Sequence, residues 1–255
     1  PESSFKKNWP KQGVKQALVP ASLLTSVLDG SLLAVDVRPL VVHVLHGLAS
    51  AGIERAVVVL GNGAEQLMHS IRQEHFEAMG LRVEFIHGVQ ITWGSSLANN
   101  IMAARAAFVG DEPILMVRSD YLFDWRLLRR MADTGSAFDR DTAAFALIDA
   151  AAETLEWVSG AHCKQFCKDG HCNALVKVLR GEGDRIARIG HRLSAYDALQ
   201  AGIYVARPLI FDELAKLLSS RKFCSVADAM QALAEVGKLK HVEAGELRCN
   251  VAWFG

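Results

Sequence analysis

Apolar and polar positions fall in blocks along most of the chain, short apolar runs followed by longer stretches with a 3.6-residue period. Ala56-Val57-Val58-Val59-Leu60 is too short for a helix and rich in β-branched side chains, and it reads as a strand buried on both faces. Residues 14–21, 81–86, 113–117 and 142–148 have the same character. Between these runs, 39–51 sets Leu40, Val41, Val44, Leu45 and Leu48 on one helical face and stops before Gly52. Stretches 64–79, 96–108 and 125–132 are helical by the same criterion. Such alternation predicts an α/β chain, a three-layer α/β/α sandwich around a central mixed, mostly parallel sheet. After residue 148 the rhythm changes. Three strands at 175–179, 185–189 and 201–206 have no long helix between them, which predicts a small antiparallel elaboration. Helices at 208–219 and 226–236 and two short closing strands follow, and with no repeat or linker, 1–255 reads as a single domain.

Composition narrows the function classes. Hydrophobic residues make up 51% and charged residues 22%, enough apolar material for a large core. Lys plus Arg balances Asp plus Glu at 28 each, so the chain lacks the basic excess that long nucleic acid demands. No apolar run approaches the roughly 18–20 residues of a membrane span. The start, Pro1-Glu2-Ser3-Ser4-Phe5, has no signal-peptide core, and the five cysteines are an odd number, so a cytoplasmic protein is expected.

Three of those cysteines are clustered. His162-Cys163-Lys164-Gln165-Phe166-Cys167-Lys168-Asp169-Gly170-His171-Cys172 sits in an insertion at about 155–173. Cys163, Cys167 and Cys172 with one histidine, His162 the candidate, would satisfy tetrahedral Zn²⁺. A hairpin tip at Asp169-Gly170 carrying free thiols fits the same residues.

Several strings, in order, resemble the sugar-phosphate and alcohol-phosphate nucleotidyltransferases. They are Leu33-Ala34-Val35-Asp36-Val37-Arg38-Pro39-Leu40, then Ala51-Gly52-Ile53 with its valines, then Ile114-Leu115-Met116-Val117-Arg118-Ser119-Asp120-Tyr121-Leu122-Phe123-Asp124. Ala174-Leu175-Val176-Lys177-Val178, Arg185–Gly190, Tyr196-Asp197 and Ala201-Gly202-Ile203-Tyr204 look closest to the cytidylyltransferases that act on inositol phosphate, phosphocholine or aminoethylphosphonate. The resemblance implies transfer of a cytidylyl group from CTP, or a nucleotidyl group from another nucleoside triphosphate, to a small phospho-alcohol or phosphonate with release of pyrophosphate. It also implies Mg²⁺ at Asp120, with Asn250 of the closing motif as a second ligand, and a catalytic pair of Asp120 and Lys177. Ala21, Ser22, Gly94, Ser95 and Ser96 are the implied nucleotide contacts, and Lys177, Tyr196 and Asp197 the implied acceptor contacts. Independently of the resemblance, Asp120 follows a buried strand at its carboxyl end, where ligands of open α/β sheets sit. Asp124 reads as the N-cap of the next helix. A homodimer, or one domain of a longer protein, is the expected assembly.

The chain departs from the family in three places. The loop after the first strand, normally glycine-rich with one Arg and one Lys, is Leu18-Val19-Pro20-Ala21-Ser22-Leu23-Leu24-Thr25-Ser26-Val27-Leu28-Asp29-Gly30, with neither cation and one glycine. The closing motif reads Cys249-Asn250-Val251-Ala252-Trp253, and Gln200 replaces an aspartate. Three readings therefore stand: an enzyme whose missing charge comes from Lys11, Lys15 or Arg38, a binding module without turnover, or a glycosyltransferase using a nucleotide-sugar.

Overall fold

The computed structural model describes residues 13–21, 34–35, 38–61, 64–88, 97–151, 175–221, 223–247 and 250–251. The strands form where apolar runs are buried on both faces: β1 (Gln16–Pro20), β4 (Arg55–Leu60) and β6 (Ile114–Val117) are nearly or wholly buried. Ahead of β4 lies a two-residue ribbon of β2 (Ala34–Val35) and β3 (Arg38–Pro39), which periodicity did not predict. Beyond β4 are β5 (Arg82–His87) and, after β6, β7 (Tyr121–Leu122) and β8 (Ala144–Asp149). The antiparallel part contains β9 (Lys177–Arg180), β10 (Ile186–Gly190) and β11 (Ala198–Ala206). Two strands, β12 (Leu239–Glu243) and β13 (Asn250–Val251), come last.

The main sheet runs β10-β9-β11-β6-β1-β4-β5, with β8 on the other edge of β11 and β12 outside β8. Strands β6, β1, β4 and β5 are mutually parallel, β12 is parallel to β8, and β11 is antiparallel to β6, β8 and β9. The sheet is mixed, as expected from the strand–helix rhythm. Strand β11 joins the two halves: Ile203–Ala206 pairs with β6 while Ala198–Leu199 pairs with β9.

Helices cover both faces. On one face α1 (Leu40–Ser50), α2 (Ala64–Gln73) and α4 (Trp125–Asp133) pack over Ala17, Val19, Val58 and Ile203. On the other, α3 (Leu97–Ala103), α5 (Ile210–Ser220) and α6 (Val226–Glu235) pack over Leu18, Val57, Met116 and Tyr204. Two long predicted helices are shorter than their periodicity. His75 takes φ 50°, ending α2 in a turn that drives Phe76 into the core against the His46 ring, 4.8 Å between centroids. A tightened turn at Arg105–Ala107 follows α3, aiming the Ala107 carbonyl at Arg55 Nη1, 2.8 Å away. Helix α4 starts as its sequence promised, with the Asp124 carboxylate accepting from the Arg126 backbone N–H at 2.9 Å. Among the described residues, no helix is long and apolar enough to cross a membrane.

Candidate active site

Parallel strands end together at one edge of the sheet, and hydrogen bonds pin those ends. The buried Ser119 hydroxyl donates to the Pro20 carbonyl at 2.8 Å, tying the end of β6 to the end of β1. Ala21 N–H donates to Val59 O at 2.8 Å, and Arg118 N–H to Gly202 O at 3.0 Å. Gly202 adopts φ +80°, and a Cβ there would lie 3.0 Å from the Tyr121 ring and 3.1 Å from the Phe123 ring, so the position needs glycine. Buried Gln200, at the family's aspartate position, turns its amide to Ile203 O at 3.1 Å and braces this bend in β11. Its role here is structural.

These constraints present Asp120 three residues beyond β6, already engaged. Arg118 Nε donates to Asp120 Oδ1 at 2.9 Å and an Nη donates to Oδ2 at 2.5 Å, a bidentate pair with side chains only 31% and 16% exposed. The guanidinium also lies over the Tyr121 ring, 4.9 Å from its centroid. Burial alone would disfavour its charge, but Asp120 more than offsets that and raises the Arg118 pKa above its usual value. Separating such a mostly buried pair costs on the order of 3 kcal/mol. Arg118 was not singled out in the sequence, though a signal existed. It shares strand parity with Ile114 and Met116, so alternation already placed it on their face of the sheet.

That face holds a cleft of about 240 Å³. Ile101, Met116, Val176 and Val226 make its apolar wall; Arg118, His191, Gln200, Tyr204 and Ser225 supply the polar atoms. Burial pushes the Tyr204 phenol above its usual pKa, so it is a neutral hydroxyl at physiological pH. His191 Nδ1 is buried and has no hydrogen-bond partner among the described residues. Arg118 is among the residues that line the cleft, whereas Asp120 is not.

The other candidates are distributed around this centre. Lys177, 5% exposed, alternates with the cleft-lining Val176; its ammonium donates to Leu193 O at 3.3 Å and sits 4.9 Å from the Tyr196 ring centroid. The Asp197 carboxylate accepts from Arg180 N at 2.9 Å and from Arg180 Nε at 3.1 Å, and it is not among the residues that line the cleft. All three therefore hold the loop from His191 to Asp197 in place. The Asn250 backbone pairs with Leu122 and Val251 pairs with Tyr121, which brings the closing strand beside the residues just after Asp120. Ala21 lies buried directly after β1. Ser22, Gly94, Ser95, Ser96 and the cluster His162, Cys163, Cys167 and Cys172 lie outside the described residues, as does Lys11. Of the other cations considered, Lys15 precedes β1 at the far end of the sheet and pairs with Glu54 at 2.9 Å, while Arg38 pairs with Glu74 at 3.3 Å. Neither lines the cleft, whereas Arg118 does.

A protein-held Mg²⁺ does not fit the described residues. Magnesium takes anionic oxygen ligands, and the charge of Asp120, the carboxylate expected to hold it, is already met by a guanidinium that bonds both of its oxygens. No group of three or more His, Cys, Asp or Glu side chains suited to a metal occurs among the described residues. A larger hollow of about 530 Å³ lies against the edge strand β5, lined by Arg72, Phe76 and Phe85 among others, and contains none of the candidates.

No protein-family model matches this chain, and no curated protein matches it in sequence. Its backbone is similar to the inositol-1-phosphate CTP transferase from T. maritima, with a TM-score of 0.67 at 20% identity over 93% of this chain and 89% of that one. The fold is that of the nucleotidyltransferases. A UDP-glucose pyrophosphorylase in complex with UDP-glucose is similar at a TM-score of 0.65 and 16% identity, covering 90% of each chain. The UDP-glucose pyrophosphorylase from acinetobacter baumanii is similar at 0.67 and 16% identity, over 93% of this chain and 88% of that one.

Proposed function

We propose that this domain is a nucleotidyltransferase that moves a cytidylyl group from CTP to a small phosphorylated or phosphonylated alcohol or amine. The observation that carries the reading is the pair Arg118 and Asp120, set at the carboxyl ends of β1 and β6 beside a cleft, on a nucleotidyltransferase fold. In the reaction an acceptor phosphate oxygen attacks the α-phosphorus. A new P–O bond forms, the bond from the α-phosphorus to the α–β bridging oxygen breaks, and pyrophosphate leaves with that electron pair. Negative charge grows on phosphoryl oxygens, so catalysis is positioning and electrostatic stabilisation. Arg118 is the cation nearest the cleft for that task, and its apolar walls strengthen the interaction. Ala21 and Ser22, with Gly94, Ser95 and Ser96, would hold the nucleotide. The loop from His191 to Asp197, braced by Lys177 and Tyr196, would form the acceptor side. The choice of CTP rests on the strings of residues 174–204.

A second reading is favoured by one observation. With Asp120 saturated by Arg118 and no cation in the stretch 18–30, the domain would bind nucleotide without turnover. Purified protein incubated with CTP, Mg²⁺ and each of phosphocholine, aminoethylphosphonate and inositol phosphate separates the two. Pyrophosphate release that requires one of the acceptors supports transfer. Nucleotide binding without pyrophosphate above background supports the binding module. UTP with glucose 1-phosphate is the control for the sugar-phosphate branch.

A further inference from the structure

Resting on that reading, we infer that Arg118 is the resident cation of this site, binding the phosphates of the nucleotide directly and without a divalent metal. Three observations converge. The Asp120 carboxylate, the expected metal ligand, has both oxygens bonded to Arg118 at 2.9 and 2.5 Å, so its charge is already met by a bidentate guanidinium. Arg118 and not Asp120 is among the residues that line the cleft, which places the arginine nearer to an entering ligand. A guanidinium carries five N–H donors in a rigid fork; Nε and one Nη group bond Asp120, and the other Nη group, without a hydrogen-bond partner among the described residues, can donate to an oxyanion.

The surroundings hold this arrangement in place. The Arg118 backbone N–H is bonded to Gly202 O at 3.0 Å and its guanidinium rests on the Tyr121 ring, so neither end of the side chain is loose. Asp120 thus acts as a positioning residue, keeping the fork oriented and charged, and Ile101, Met116 and Val226 make the same cleft partly apolar. A phosphate oxygen is the ligand chemistry that fits: anionic, and able to accept a charge-assisted hydrogen bond from the guanidinium. The neutral Tyr204 hydroxyl and the imidazole of His191 line the same cleft and leave it without competing negative charge.

Calorimetric titration of wild type, Arg118→Gln, Arg118→Lys and Asp120→Asn with CTP and with inorganic pyrophosphate, in EDTA and in Mg²⁺, tests this. Wild type is expected to bind in EDTA with an affinity within a few-fold of that in Mg²⁺, and Arg118→Gln to lose about 10-fold or more in EDTA, the effect of one charged hydrogen bond. Arg118→Lys keeps the charge but not the fork and should fall between the two. Asp120→Asn still offers the fork an oxygen acceptor but no countercharge, and should weaken binding in EDTA by less than Arg118→Gln does. Thermal unfolding of each variant checks its fold, and the wild-type comparison of EDTA with Mg²⁺ stands even if a variant does not fold. Binding of CTP only with Mg²⁺ would overturn the inference and leave the transferase reading intact. Arg118-dependent binding of pyrophosphate in EDTA without any binding of CTP would uphold it while sinking that reading. No binding of either probe in EDTA overturns it.

Discussion

Two arginine–aspartate pairs two residues apart in sequence, Arg118 with Asp120 and Asp124 with Arg126, have opposite surroundings and opposite uses. The first is mostly buried at the end of β6; in the second, Arg126 is 60% exposed and Asp124 caps α4. The Arg126 side chain and backbone hold the Asp124 carboxyl at about 2, below its ordinary 3.8. A depressed carboxylate pKa stabilises the fold above the unfolded value, and that stabilisation is lost as pH falls through the folded value. Asp124→Ala should therefore destabilise by about 1 kcal/mol near neutral pH, the usual worth of an N-cap. Comparing its melting temperature with wild type across pH should show the gap shrinking between pH 4 and pH 2. A gap independent of pH would mean that the carboxylate is not the cap. Asp124 was legible because an N-cap acts within three residues. Asp197 was not, because its partner Arg180 reaches it across the β9–β11 ladder from 17 positions away.

At the scale of elements, buried parallel strands were the most readable part of the chain. Burial on both faces turns β4 and β6 into unbroken apolar runs that no amphipathic helix would produce. Helix lengths were less so, since the left-handed turn at His75 obeys the need to bury Phe76 rather than any local preference. The return of β12 alongside β8 is a long-range pairing with no local signature. Strand β11 carries the element-level prediction. Its register shifts between Gln200 and Tyr204, and Gly202 supplies the bend that lets Tyr121 and Phe123 stack beside it, 5.6 Å apart. Gly202→Ala forces both a positive φ and a close ring contact, and should destabilise by about 1–3 kcal/mol. Urea unfolding reads this as a lower midpoint at unchanged slope. A midpoint equal to wild type would show that the bend tolerates a side chain.

For the molecule as a whole, the sheet's parallel half and its antiparallel half meet at β6 and β11, and the cleft opens where they meet. Its location was legible from the strand order alone, because parallel strands leave their carboxyl ends at one edge. The cation in it was not, because strand parity gives Arg118 a face of the sheet but not its pairing with Asp120. The cleft is proposed to transfer a nucleotidyl group with Arg118 meeting the phosphates. Incubation with CTP labelled at the α-phosphate and each phospho- or phosphono-acceptor, followed by separation of the products, tests it most directly. Label should move to an acceptor in wild type and fall by about 10²–10³-fold in Arg118→Gln, the usual loss when one charge-stabilising donor is removed. Label that stays wholly in CTP with every acceptor, or moves equally well in Arg118→Gln, would contradict the account.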